Sequence, residues 1–305
     1  MKALSSFVRR NCMNYFRDRS AVFFSLLSMF IVIMLMVVFI GDMNVKSIVN
    51  LLGEYGGEGR DAAADKNNAQ VLEIMWMTAG LVVVNAVMVT LTMIGHMIED
   101  AAAGKQASFF VAPVSRYTIT MGYILASVLV GILMCVATVV VGQIYVVAIG
   151  GSVLGVMDFI KILGIIVLTV FTSSSLMFLL AVFVSTESAW GGLGTTIGTL
   201  VGFFGGIYLP IGALPGGVDV VVKALPVMQE CAMLREIFTK DIIEKTFSGP
   251  AAQVIPMYKE EMGITVEMFG KTSTPLFQTL FILGYGVLAF IVATVIINKK
   301  GARDR

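Results

Sequence analysis

The 305-residue chain is 57% hydrophobic, only 13% charged, and has a mean hydropathy of +0.91. A soluble domain carries about 25% charged residues, so a water-soluble globular fold is excluded and an integral membrane protein is expected. The 21 basic and 20 acidic side chains nearly balance, and no nucleic-acid partner is expected.

Leu4, Phe7, Val8, Cys12, Tyr15 and Phe16 recur at helical spacing, while Arg9, Arg10, Asn14 and Arg17 fall elsewhere. This pattern over residues 1–20 predicts a basic amphipathic helix lying in the membrane surface. An apolar run of about 20 residues crosses the hydrocarbon, and Ala21–Ile40 is the clearest one. No small-residue cleavage pattern follows it, so a removed signal peptide is not expected. An acid-leaning loop leads to a second span, Ile74–Met97.

The connection HMIEDAAAGKQASFFVAPVSR follows. Glu99 and Asp100 open a short stretch, Ala101–Phe110, with helical potential that Pro113 ends. Gly104-Lys105 is not a phosphate-binding loop. Glu99 stands where its first glycine would be, no Ser or Thr follows Lys105, and no strand precedes. His96 and Glu99 lie one turn apart, but His96 is the only histidine in the chain. No metal site is expected.

A third span runs from about Ile119 to Ile149, longer than a bilayer needs and therefore tilted or extended. A fourth covers Phe159–Val184 and a fifth Gly191–Ile211. The fifth contains GTTIGTLVGFFGG, with Gly194, Gly198, Gly202 and Gly206 on one helical face. In membranes such small-residue faces mark close helix packing. Intrachain packing, a subunit contact and a lining role beside Phe203 and Phe204 all remain open. In the loop of about Ala213–Thr274, Val227, Cys231, Leu234 and Phe238 mark one face of a helix, and Arg235, Lys240 and Asp241 supply polar positions. An amphipathic helix at the outer membrane surface is expected there. Thr274-Pro275 then signals the start of a sixth span, Leu276–Ile297.

Lys2, Arg9, Arg10, Arg17 and Arg19 precede the first span, and Lys299, Lys300, Arg303 and Arg305 follow the sixth. The positive-inside rule puts both termini in the cytoplasm, as expected of a multi-pass plasma-membrane protein. Cys12, Cys135 and Cys231 then share no compartment, and no intrachain disulfide is expected. Within the spans, Asn85 is the one strongly polar residue near a centre. Thr90, Thr92, Gln143 and Thr172–Ser175 either line a path or bond helix to helix, the latter being the commoner role of such residues.

The order of these features resembles the permeases of type-2 ABC transporters. The resemblance rests on NYFRDRSAVFFSL at the amphipathic segment and on E-D-x-x-x-G-K…F-F-V-A-P-V-S-R between spans two and three. It extends to G-G-I-Y-L-P-I-G-A-L-P…L-P-V…L-R over residues 205–235. It implies an all-α membrane protein forming one permease domain over residues 1–305. Residues 1–20 become a connecting helix, 99–110 a coupling helix that fits a groove on a cytoplasmic ATPase, and 213–274 an extracellular loop with re-entrant helices. Glu99, Asp100, Gly104, Lys105, Phe109 and Phe110 would carry the coupling. Asn85, Gly194, Gly198, Gly202, Phe203, Phe204 and Gly206 would form the cargo path or dimer face.

The resemblance also implies a second permease copy, identical or related, contact with membrane lipid, and ATP and Mg held by the ATPase rather than by this chain. The expected function is ATP-driven export of an amphiphilic cargo (a drug, peptide or lipid-like molecule) by a non-catalytic transmembrane subunit. An ATP-independent secondary transporter or channel is the alternative; it calls for inverted repeats or intramembrane charges, and neither is evident. A membrane enzyme would need a convergent nucleophile, base or metal set, which Ser173–Ser175 lack.

Overall fold

The computed structural model describes residues 2–19, 22–23, 34, 41–105, 115–268 and 270–303. The expected first span, Ala21–Ile40, therefore lies almost wholly outside the described residues. Among the described residues the helices are α1 (Lys2–Arg17), α2 (Gly41–Tyr55), α3 (Ala62–Ala102), α4 (Arg116–Ala148), α5 (Val156–Ala181), α6 (Glu187–Phe204), α7 (Val218–Lys223), α8 (Pro226–Thr246), α9 (Ile255–Glu261) and α10 (Pro275–Arg303). Short 3-10 turns occupy Ile211–Ala213 and Gly249–Val254, and a two-stranded hairpin pairs Glu267–Met268 with Lys271–Thr272.

Among the described residues, four helices are long and apolar enough to cross a membrane: Ala62–Ala102, Tyr117–Ala148, Val156–Ala181 and Pro275–Lys299. They match the second, third, fourth and sixth expected spans. The expected fifth span, Gly191–Ile211, is shorter than its apolar run. Helix α6 stops at Phe204, and Gly206 takes a positive φ of 61° that turns the chain back. Glycine adopts that conformation without steric cost.

Helix α3 is the central post and packs against α2, α4, α5, α6 and α8. It begins at an Asp61 cap that accepts from the Ala63 and Ala64 amides, well before the apolar run at Ile74. Leu72, Trp76, Val82, Val83 and Ala86 are buried with Cys135 and Val139 of α4 and Leu234 and Phe238 of α8. A second apolar cluster joins Val87, Leu91 and Ile94 to Phe178 of α5, Trp190 of α6 and Ala293 of α10. At two helix contacts one side is glycine. A methyl at Gly131 would press on Val170, and one at Gly286 on Phe171 and Thr172. Small residues let backbones approach in this way in a bilayer, where apolar burial between helices drives little.

The end of the bundle that carries α1 and residues 99–105 is here called proximal, and the end that carries α2, α9 and the hairpin distal. Helix α2 occupies part of the stretch that reads in sequence as an acid-leaning loop. At the distal end Arg60 grips Asp65 through two hydrogen bonds of 2.8 and 2.7 Å. It also donates to the Thr246 carbonyl at the end of α8 (2.9 Å) and to that of Ser248 (3.1 Å). One cation thus pairs with the first turn of α3 and satisfies orphan carbonyls where α8 ends. Its pKa is raised, chiefly by the bond to Asp65.

Candidate functional site

At the proximal end, α1 lies against α4. Its buried residues are Asn11 and Tyr15, and Tyr15 joins Val89, Met93, Ala126 and Val130 in an apolar cluster. Phe16, on the expected apolar face, remains 44% exposed, so packing on α4 uses only part of that face. Arg10, which falls off the apolar face in the sequence pattern, turns into the bundle. Its guanidinium donates to the Asp100 carboxylate at 2.7 Å, and the Tyr123 hydroxyl donates to the same oxygen at 2.7 Å. Lys105 lies 3.4 Å from the other Asp100 oxygen. Burial pulls the Arg10 pKa down, but its bonds to Asp100 and Tyr123 outweigh that and raise it. One carboxylate therefore ties α1, the end of α3 and the start of α4 together.

This geometry corrects the expected helix boundary. Glu99 and Asp100 do not open a separate helix; they belong to the last turns of α3, which runs unbroken to Ala102. Gly104 (φ 69°) then turns the chain. Glu99 is exposed and Asp100 is buried. Phe109 and Phe110 lie outside the described residues. Ser115 caps α4, its hydroxyl accepting from the Thr118 amide at 3.2 Å.

The residues expected on a cargo path are scattered. Asn85 is buried and donates to the Met134 carbonyl (3.1 Å) and the Thr138 hydroxyl (2.8 Å), stapling α3 to α4. Thr172 donates to the Ile282 carbonyl at 3.1 Å, and Ser127 and Ser174 bond each other at 2.9 Å. Gln143 accepts from the Leu154 amide. Gly194 faces Leu91, Gly198 faces Met88, and Gly202 lies under the ring of Tyr208. Each of these three glycines thus meets a side chain of its own chain, with Gly198 partly exposed. Phe203 stays 42% exposed, its ring 5.1 Å from that of Tyr208. Gly206 is not on the helix but in the turn that follows.

Helix α8 departs furthest from expectation. Pro226 opens it, and Lys240 and Asp241 are exposed as the pattern predicts, but its first half is not a surface amphipath. Gln229, Glu230, Cys231, Leu234, Arg235, Phe238 and Thr239 are all buried, since α8 packs against α3, α5 and α10. The turn before it reaches α10, where the Tyr285 hydroxyl donates to the Ala224 carbonyl at 3.1 Å. Arg235 is fully buried. It donates to the Gly205 and Gly206 carbonyls at 2.9 and 3.1 Å, approaches those of Met262 and Gly263 at 3.5 Å, and stacks 4.1 Å over the Trp76 ring. Glu73 lies within electrostatic reach and accepts from the Asn44 amide at 2.8 Å.

Beside the first turn of α8 lies a cavity of about 130 Å³ between α3, α5, α6 and α8, with Glu230 in its lining. Glu230 and Glu73 are acids that the span-by-span reading missed. Glu73 precedes the apolar run it packs with, and Glu230 sits in what read as a surface loop. Helical spacing gives no sign that the polar positions in the first half of α8 are covered too. Among the described residues, no cluster of three or more His, Cys, Asp or Glu is placed to hold a metal ion.

A polytopic helical membrane protein with one long central helix and a proximal end tied together by a shared carboxylate is the class defined by this fold. The chain matches the family model described as ABC-2 type transporter over residues 2–238. It belongs to that family and is an ABC-transporter permease, a transmembrane transport component. Comparison with the curated proteins returns no match.

Proposed function

We propose that this permease is the membrane subunit of an ATP-driven exporter that moves an amphiphilic cargo out of the cytoplasm by alternating access. In this reading six spans cross the plasma membrane with both termini cytoplasmic, and the distal end is extracellular, with α7 and the start of α8 re-entering the membrane. Two copies, identical or related, pair within the lipid. Each rests on a cytoplasmic ATPase through residues 99–110, and ATP and Mg bind to that ATPase.

The Asp100 junction is the observation that carries this reading. A push on the α3–α4 connection is delivered at once to α1, α3 and α4, because one buried carboxylate holds all three. Since α3 packs against α2, α4, α5, α6 and α8, its displacement biases the bundle between two arrangements. Such a population shift needs differential contact at one end only.

The test is reconstitution with and without the ATPase. Purified permease alone should neither hydrolyse ATP nor bind a nucleotide analogue. With its ATPase in vesicles, it should move cargo only when ATP is supplied on the proximal side. Tight nucleotide binding by the permease alone would overturn the division of labour.

A further inference from the structure

We propose that the cavity at Glu230 is a binding pocket for the protonated amine of a lipophilic amine, with the Glu230 carboxylate as its counter-ion. The proposal deepens the exporter reading and rests on it for the cargo's passage, though not for its binding. Val87, Leu176, Ile197, Val201 and Phe204 wall the cavity. Glu230 is 1% exposed, and neither carboxylate oxygen has a hydrogen-bond partner among the described residues. Arg235, farther along α8, directs its terminal donors to backbone carbonyls at the turn after α6 instead.

A buried carboxylate without a partner is costly, and a cation that brings its own donors relieves that cost. Ammonium to carboxylate is a charge-assisted bond, strengthened where water is excluded. The apolar walls set the rest of the ligand. At about 130 Å³ the cavity is close to the engineered cavity of about 150 Å³ that takes benzene. It accommodates one ring or a short alkyl stretch beside the amine. Leu200 lines it and is 40% exposed, so the pocket opens at the surface of α6 and a longer tail can trail outward. An aminophospholipid fits poorly, because its phosphodiester would bring a second negative charge against the same apolar walls.

The experiment uses the full chain in phosphatidylcholine nanodiscs, without ATPase, and two photoreactive probes: a diazirine-bearing dodecylamine and the matching dodecanol. Labelled peptides are located by mass spectrometry. The amine should label the segments around Ile197–Phe204 and Pro226–Glu230 about tenfold more than the alcohol, the discrimination expected of one charge-assisted hydrogen bond. Glu230→Gln should bring amine labelling down to the alcohol level, and Glu230→Asp should keep the preference. Ile197→Trp, which fills the cavity from α6 and leaves the Glu230 carboxyl in the chain, should abolish amine labelling. Excess phosphatidylethanolamine should not displace the amine.

Equal labelling of the wild-type chain by the two probes overturns the pocket, whether or not Glu230→Gln folds. Amine labelling unchanged in a folded Glu230→Gln chain does the same, and displacement by phosphatidylethanolamine reassigns the site to lipid. Because no step uses ATP, a positive result with no transport in the reconstituted complex would sink the exporter reading alone. Transport of the amine with no labelling would sink the pocket alone.

Discussion

Asp100 shows how much one side chain is asked to do at the proximal end. It is buried, yet it accepts from Arg10 and Tyr123 at 2.7 Å and pairs with Lys105 at 3.4 Å. Asp100→Asn keeps the shape and removes the charge, leaving Arg10 without its counter-ion. The loss expected is about 2 kcal/mol, the scale of a hydrogen bond to a charged group. Tyr123→Phe, which removes one donor and no charge, should lose about 1 kcal/mol. Thermal unfolding in detergent checks both. If Asp100 also transmits force, Asp100→Asn should leave the ATPase of the complex active while transport falls; equal decline of the two would remove that role. The acid is legible as a coupling residue only through the motif around it, because its two hydrogen-bond donors Arg10 and Tyr123 lie 90 residues before and 23 after it in sequence.

At the scale of an element, α6 explains its own glycines. Their spacing signalled a smooth face, and the structure supplies what covers it: Leu91, Met88 and Tyr208 in turn. The three positions differ in how far the neighbour can yield. Met88 is flexible, while the ring of Tyr208 is pinned between Gly202 and Phe203. Gly202→Leu should therefore cost the most, about 3 kcal/mol, at the upper end of typical overpacking. Gly198→Leu should cost less. Thr199→Leu, on the exposed face where Thr199 only bonds back to the Thr195 carbonyl, should be close to neutral. Unfolding midpoints of the three variants decide the order, and equal values would remove the packing account of the stripe. Helix α8 teaches the opposite lesson. Its apolar face reads from Val227, Cys231, Leu234 and Phe238, and Lys240 and Asp241 are exposed as that face predicts, but Gln229, Glu230 and Arg235 are buried with it, since helical spacing carries no sign of what packs over a polar position.

Across the whole molecule, the distal half hangs on Arg235. Its guanidinium joins the turn after α6, the turn after α9 and the Trp76 ring of α3, three segments far apart in sequence. Trp76 donates in turn to the Met262 carbonyl at 2.8 Å. Arg235→Leu leaves these carbonyls and the nearby Glu73 without their cation. Breaking a buried charge set in this way costs about 3–5 kcal/mol, which in a chain of this size lowers the unfolding midpoint by about 10 °C. Arg235→Lys should rescue little, since a point ammonium cannot span the carbonyls that a planar fork reaches. Differential scanning fluorimetry in detergent measures both variants, and a lysine variant as stable as the native chain would show that charge alone suffices.

Four of the spans, the basic α1, the start of α8 at Pro226 and the start of α10 at Pro275 were settled by the sequence alone. Each rests on a local rule: apolar length against bilayer thickness, helical periodicity, or a residue that caps or breaks a helix. The family resemblance was likewise carried by contiguous motifs. The early end of α6, the merging of Glu99 and Asp100 into α3, the enclosure of the first half of α8, the burial of Glu230 without a partner, and the partners of Asp100 and Arg235 were decided only by the tertiary structure. These depend on pairs distant in the chain, and a polar side chain in sequence looks the same whether it ends in water, against a carbonyl or in an apolar cavity. What separates the three outcomes is the free energy of leaving it unpaired once neighbouring helices close around it, and that is set by packing rather than by any local pattern.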